Sequence, residues 1–193
     1  MQVKDKGLVL QSIKYADKKN IIRLFTREHG VVTCMARISK SNTSKIKPST
    51  LMNMNLVDLE FIHKQNKEIQ LLTEANCMHI YSSIHADIHK LSILQFINEV
   101  LTKTVKEQGP QAELFDFVCH SLMQLDLMNE PVANFHHYFL VELLRYFGFE
   151  PVNNFDTEEK YFDCREGKFS GVEFPGPIGL NEQSSELLSK ALN

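Results

Sequence analysis

From Gly7 to Cys77, apolar and polar positions alternate over short runs separated by turn residues, the pattern of half-buried strands. Gly7 to Tyr15 is rich in β-branched and aromatic residues and predicts a first strand. Asp17 to Asn20 predicts a turn, Ile21 to Thr26 a second strand, and Val31 to Arg37 a third. Arg27 to Gly30 closes the hairpin between the last two, with Gly30 suited to a positive φ. Ser39 to Ser49 is polar, basic and interrupted by a proline, with almost no apolar residue to anchor it, so a mobile loop is expected there. Asn55 to His63 and Ile69 to Cys77 predict a fourth and a fifth strand joined by the turn Lys64 to Lys67. Five short strands within about 70 residues, joined largely by hairpins, predict a small closed β-barrel.

Near His79 the period changes. Ile93, Phe96, Ile97, Val100, Leu101, Thr104 and Val105 recur at helical spacing, and Gly109-Pro110 ends that helix. Leu114, Phe115, Val118, Leu122 and Leu125 mark a second helix, stopped at Asn129-Glu130-Pro131. Phe135 to Phe147 is apolar nearly all round, which suits a helix at the centre of a bundle, and Gly148 stands where a C-terminal cap belongs. Tyr161 to Phe169 predicts a short hairpin around Glu166-Gly167, and Ser184 to Leu192 a last helix. That helix meets no stop signal before the terminus, and the expectation drawn from this is a longer native chain. The fold class is α+β: an N-terminal five-stranded barrel over residues 1–80, then a mainly helical domain over 81–193 with an irregular hairpin insertion near 153–178.

Composition alters this picture little. The chain has 193 residues, 43% hydrophobic and 23% charged, ordinary for a globular protein. Its longest apolar runs are broken well short of a membrane span, and no signal peptide follows the N-terminal lysines. A cytoplasmic protein is expected. Cys34, Cys77, Cys119 and Cys164 are single and widely spaced, so buried free thiols are expected and no metal-binding Cys pair is available.

Charge does alter it. Residues 1–80 carry thirteen Lys/Arg against seven Asp/Glu, while residues 81–193 carry eight against seventeen. The basic half calls for a polyanion. Lys14, Lys18, Lys19, Arg23, Arg27 and Arg37 fall on or beside the first three strands, and Lys40, Lys45 and Lys47 on the loop that follows. Barrel strands turn alternate residues outward, so several of these can share a groove that holds phosphates. Tyr15 and Phe25 offer rings for base stacking, although Phe25 fits a core position equally well. The plainer reading of the same cations is a solvated face.

His85 and His89 are spaced to meet on one helix face, but no third ligand accompanies them, and adjacent His136 and His137 should point in different directions. No metal site or cofactor is expected. No P-loop, dinucleotide fingerprint or nucleophile elbow is present, so no enzyme is expected. In the helical half, a groove between helices can take a partner's peptide, with Lys103, Lys106 or Arg145 gripping an acidic tail.

At this point the chain resembles a known family. Gly7 to Tyr15, then Leu24-Phe-Thr-Arg-Glu-His-Gly30, then Ala36-Arg37 before a basic loop are similar to the opening of RecO, a DNA repair family. Leu143 to Pro151 and Tyr161 to Phe169 are similar to later segments of it. The resemblance implies an OB-fold followed by a mainly helical domain. It also implies binding of single- and double-stranded DNA at the nucleoid, annealing of complementary strands, and help in loading RecA together with RecR. Contact with the acidic tail of single-strand-binding protein is implied as well. Many relatives carry a zinc site after the central helix, but Val152 to Asp156 stands there without ligands. An RNA-binding OB module and a protein adaptor acting through the helical half are the rival readings.

Overall fold

The first strand begins well before its apolar run. In the computed structural model, which describes residues 1–39, 41, 44–106, 109–129 and 131–192, β1 spans Gln2–Ala16. Its early residues read as polar because a buried acid, Asp5, occupies an inward position between Val3 and Gly7. The Asp5 carboxylate accepts from the backbone N–H groups of Lys6 and Glu28 and lies 2.7 Å from His29 Nδ1, so its burial is compensated. Gly7 faces Leu59 so closely that a Cβ would stand 2.5 Å from its Cδ2. A side chain is excluded there by packing.

The other barrel strands are β2 (Lys19–Thr26), β3 (Gly30–Arg37), β4 (Leu56–Ile62) and β5 (Ile69–Cys77). They close in the order β1-β2-β3-β5-β4, antiparallel except for the β3–β5 pair. This is an OB-fold barrel. Alternate residues, among them Val9, Ile22, Leu24, Cys34, Phe61 and Leu72, fill its interior. Gly30 holds φ 63°, as the β2–β3 turn requires.

The segment after β3 is better anchored than its composition suggests. Ile46 is buried, Lys45 O accepts from Ala75 N of β5, and Ile46 O accepts from Ser39 N. From Ser44 onward, the one apolar side chain inserted into the barrel anchors the chain, which continues through a 3₁₀ turn at Pro48–Leu51. Lys40 lies outside the described residues.

Part of the barrel's outer surface is covered. Leu8 of β1 and Phe25 of β2 are cross-strand partners on the outside, yet both are fully buried. Two helices cover this side: α1 (Ile88–Thr104), which packs against β1, and α2 (Ala112–Leu127), whose Phe115 meets Phe25 edge-on at 5.6 Å. Barrel and both helices form one unit, Met1–Ala133. His85 precedes Asp87, the N-cap of α1, so His85 and His89 do not share a helix face. Cys34 and Cys119 are buried as expected, and burial pushes both thiols up to about 12, where they are unreactive. Cys77 and Cys164 are instead exposed.

Asp126 at the end of α2 ties this unit together. Its buried carboxylate accepts from Ser82 N at 2.8 Å, Ser83 N at 2.9 Å and Ile84 N at 3.0 Å, all in the segment that leaves the barrel. Burial opposes ionisation of this carboxyl, but the backbone donors outweigh it and hold the group well below the usual carboxylate range. Buried Lys90 of α1 donates to Ser83 Oγ, Asp126 O and Met128 O, which satisfies its ammonium among oxygens.

The second unit, Asn134–Asn193, holds α3 (Phe135–Tyr146), a hairpin of β6 (Tyr161–Asp163) and β7 (Lys168–Ser170), and α4 (Glu182–Ala191). Gly148 at φ 74° follows α3, and Gly167 at φ 66° makes the hairpin turn, both where the pattern puts them. α3 is not apolar-buried all round: Phe139 and Leu143 are buried while Tyr138, Leu144 and Tyr146 are exposed. The rings of His136 and His137 do not diverge but lie 3.9 Å apart in the first turn of α3. Phe155, Phe162 and Phe169 form the hairpin's own small core.

Replacing Asp126 by Ala strands three backbone donors and is expected to lower the unfolding free energy by roughly 3 kcal/mol in urea titration. Because the folded carboxyl is held low, its stabilisation is complete above the unfolded value near 3.9 and is lost as pH falls below it. Asp126→Asn should therefore flatten the acid limb of the stability profile.

Candidate nucleic-acid interface

The cations of the barrel separate into groups with different work. Lys14, Lys18, Lys19 and Arg37 gather at one end, around the hairpin that joins β1 to β2. Ala16 pairs with Lys19 across a two-residue turn, and Lys18 at its tip holds a left-handed φ of 60°. Lys19 is the direct cross-strand partner of Arg37, and Ile38 N donates to Lys18 O, which binds the tip to the end of β3. All four side chains are exposed, and none has an acidic partner among the described residues. Lys14 pairs with Asn20, so it projects from the opposite face of the ribbon to Lys19 and Arg37.

Arg23 and Arg27 are committed elsewhere. Arg23 donates from Nη1 to Thr102 O at 3.0 Å and from Nη2 to Val105 O at 3.1 Å, satisfying carbonyls at the C-terminal end of α1. Arg27 forms a two-pronged pair with Asp116 of α2, Nε to Oδ1 at 2.9 Å and Nη2 to Oδ2 at 2.8 Å, and also meets Glu28. Its hydrogen bonds hold the Asp116 carboxyl below the usual range. These two arginines fasten helices to the barrel. Lys45 pairs with Glu74 of β5 at 2.8 Å, and Lys47 is exposed. Of the two rings considered for stacking, Phe25 is buried beneath α2 and unavailable, whereas Tyr15 is exposed.

The uncovered part of the outer surface carries an apolar row. Ile13 pairs with Ile21, Ile21 with Met35, Met35 with Leu71, and Leu71 with Ile62, so one side chain from each strand joins a continuous band. Ile13 is 51% and Leu71 49% exposed, which is more apolar surface than a solvated barrel wall needs. Lys19 and Arg37 border the band toward the hairpin, and Lys64 and Lys67 of the β4–β5 turn border it beside Ile69 and Leu71. Local composition does not mark out the two turn lysines. Their signal was present, since the β1–β2 and β4–β5 loops of an OB-fold flank the same face.

Comparison with known proteins agrees with this architecture. Residues 1–81 match the family described as "Recombination protein O N terminal", and residues 85–193 match "Recombination protein O C terminal". A protein of Flavobacterium psychrophilum named "DNA repair protein RecO" is 31% identical over 195 aligned positions, which cover 100% of this chain and 80% of that one. Proteins of the same name from Flavobacterium johnsoniae and Azobacteroides pseudotrichonymphae are 30% and 29% identical with the same coverage. The class is that of recombination mediators, proteins of DNA repair that are not catalytic enzymes. More narrowly, the chain belongs to the RecO family. No helix among its described residues is long and apolar enough to cross a membrane.

If Arg23 serves α1, Arg23→Ala should lower the unfolding free energy by about 1–2 kcal/mol in denaturant titration. Unchanged stability would remove this assignment and return Arg23 to the pool of free cations.

Proposed function

We propose that the chain binds single- and double-stranded DNA by its phosphates, along the outer face of β2 and β3 from the hairpin toward the β4–β5 turn. Lys18, Lys19 and Arg37 are its principal contacts; Lys14, on the other face of the ribbon, is not among them. The observation that carries this reading is the Lys19–Arg37 pair. Like charges directly opposite on neighbouring strands repel, and no acid relieves them among the described residues. A phosphate backbone supplies the missing counter-charge and, on binding, releases its condensed ions.

The face also suits weak discrimination between sequences. Its apolar row is aliphatic, with Tyr15 the exposed ring beside it, so sugars and bases meet a smooth surface more than a set of stacking slots. Hydrogen-bond readout of base edges is not required. A protein that neutralises two backbones without reading them lowers the repulsion between complementary strands, which is what annealing demands. Within the RecO family, this activity fits assistance to RecA loading with RecR, on DNA from which single-strand-binding protein has been displaced through its acidic tail.

Replacing Lys18, Lys19 and Arg37 together by Gln should weaken binding of labelled oligonucleotides alike across sequences. Loss of three phosphate contacts should reduce the slope of log affinity against log salt by about 2 on single strands. The annealing rate of complementary oligonucleotides should fall with it. Affinity equal to the wild type in an anisotropy titration would overturn the assignment, and competition between matched DNA and RNA would decide between polymers.

A further inference from the structure

A second cationic region lies at the opposite end of β2 from the hairpin. There the β2–β3 turn, the β4–β5 turn and Lys106, Gly109 and Pro110 line a recess of about 560 Å³. Lys64, Lys67 and Lys106 line it, and all three are exposed without an ion-pair partner among the described residues. Glu28, on its wall, is already paired with Arg27, which leaves Glu68 as the free acid of the lining among the described residues.

This recess is built, not a chance meeting of surface lysines. The turn that carries Lys64 and Lys67 is fixed from below by Gln70, which is buried. Gln70 Oε1 accepts from Lys64 N at 2.8 Å, and its Nε2 donates to Lys64 O and Lys67 O. His29 is held by Asp5 through Nδ1, and its ring lies 6.0 Å from that of His63. His63 Nδ1 is itself buried without a hydrogen-bond partner. Two unpaired ammonium groups on a turn fixed by Gln70, with Lys106 on the same lining, make a holder for a compact multiply charged oxyanion.

We infer that this recess is a phosphate site, with Lys64, Lys67 and Lys106 as its ligands, and a second holding point separate from the hairpin. It rests on the proposed function where the phosphate belongs to a DNA strand. In that case the eight residues of β2 separate the two points by roughly 25 Å, so only a strand that crosses the β2–β3 face engages both. The same chemistry accepts free inorganic phosphate.

The test uses the full chain with Lys64, Lys67 and Lys106 replaced together by Gln, a matching Arg triple, and the hairpin triple described above. An oligonucleotide of about 20 nucleotides, long enough to cross an OB face, is titrated against each over a salt series. The expected result is a tenfold or greater loss of affinity in the recess Gln variant, a salt slope smaller by about 2, and recovery in the Arg variant. If that variant binds the oligonucleotide normally but loses the heat of inorganic phosphate binding seen in the wild type, the site stands with free phosphate as its ligand. If neither ligand distinguishes it from the wild type, the inference is overturned. In that case, a hairpin triple that still loses affinity leaves the proposed function intact, whereas one that binds normally removes both.

Discussion

Closure of the barrel through the parallel β3–β5 pair governs the rest of the molecule. A sheet that returns on itself leaves little free strand edge for pairing with another chain. What remains for recognition is the outward half of the side chains and the turns at either end. Helices α1 and α2 take one sector of that outer surface and bury Leu8 and Phe25 under it. The open sector is left with the apolar row and the cations that border it. Where a basic residue falls around the barrel therefore decides whether it is a fastener or a ligand.

Arg23 and Arg37 illustrate the division. They sit on neighbouring strands with their side chains on the same outer surface, and no feature of local sequence separates them. Arg23 lies under the helical sector and spends its donors on helix carbonyls, while Arg37 lies beyond it, opposite a lysine. A guanidinium among helix-end carbonyls gains charge-assisted hydrogen bonds. One beside an ammonium gains nothing until an anion arrives.

Much of this was legible in the residues. The five strands, the glycine turns at Gly30 and Gly167 and the helix end at Gly148 follow from local periodicity and from φ, which neighbours in sequence determine. What escaped depends on distant partners. Asp5 hides the start of β1 because an inward acid breaks the expected alternation, and only His29 and Glu28, far along the chain, make its burial tolerable. Ile46 is one apolar residue in a polar stretch, too little for any period to detect, yet it anchors that stretch. For the candidate site, the excess of positive charge on the barrel was visible, as were Lys14, Lys18, Lys19 and Arg37. Which cations were already spoken for was not, since Asp116 and the end of α1 lie some eighty residues away in the chain, as the separations of 89 and 79 positions record. Lys64 and Lys67 are inconspicuous for the converse reason. They sit in a turn of plain composition, and only barrel topology brings that turn beside the open face.

Lys18 bears on how such a protein can change. Its left-handed backbone is natural for glycine and costs a lysine about 1 kcal/mol or more. Relaxing that turn by the simplest exchange would harden the molecule against heat and, in the same stroke, blunt the charged tip of the hairpin. Pressure for robustness and pressure for grip thus meet at one position and pull it in contrary directions, so a variant library ranked by melting temperature alone would tend to discard the exposed side chain at the hairpin tip.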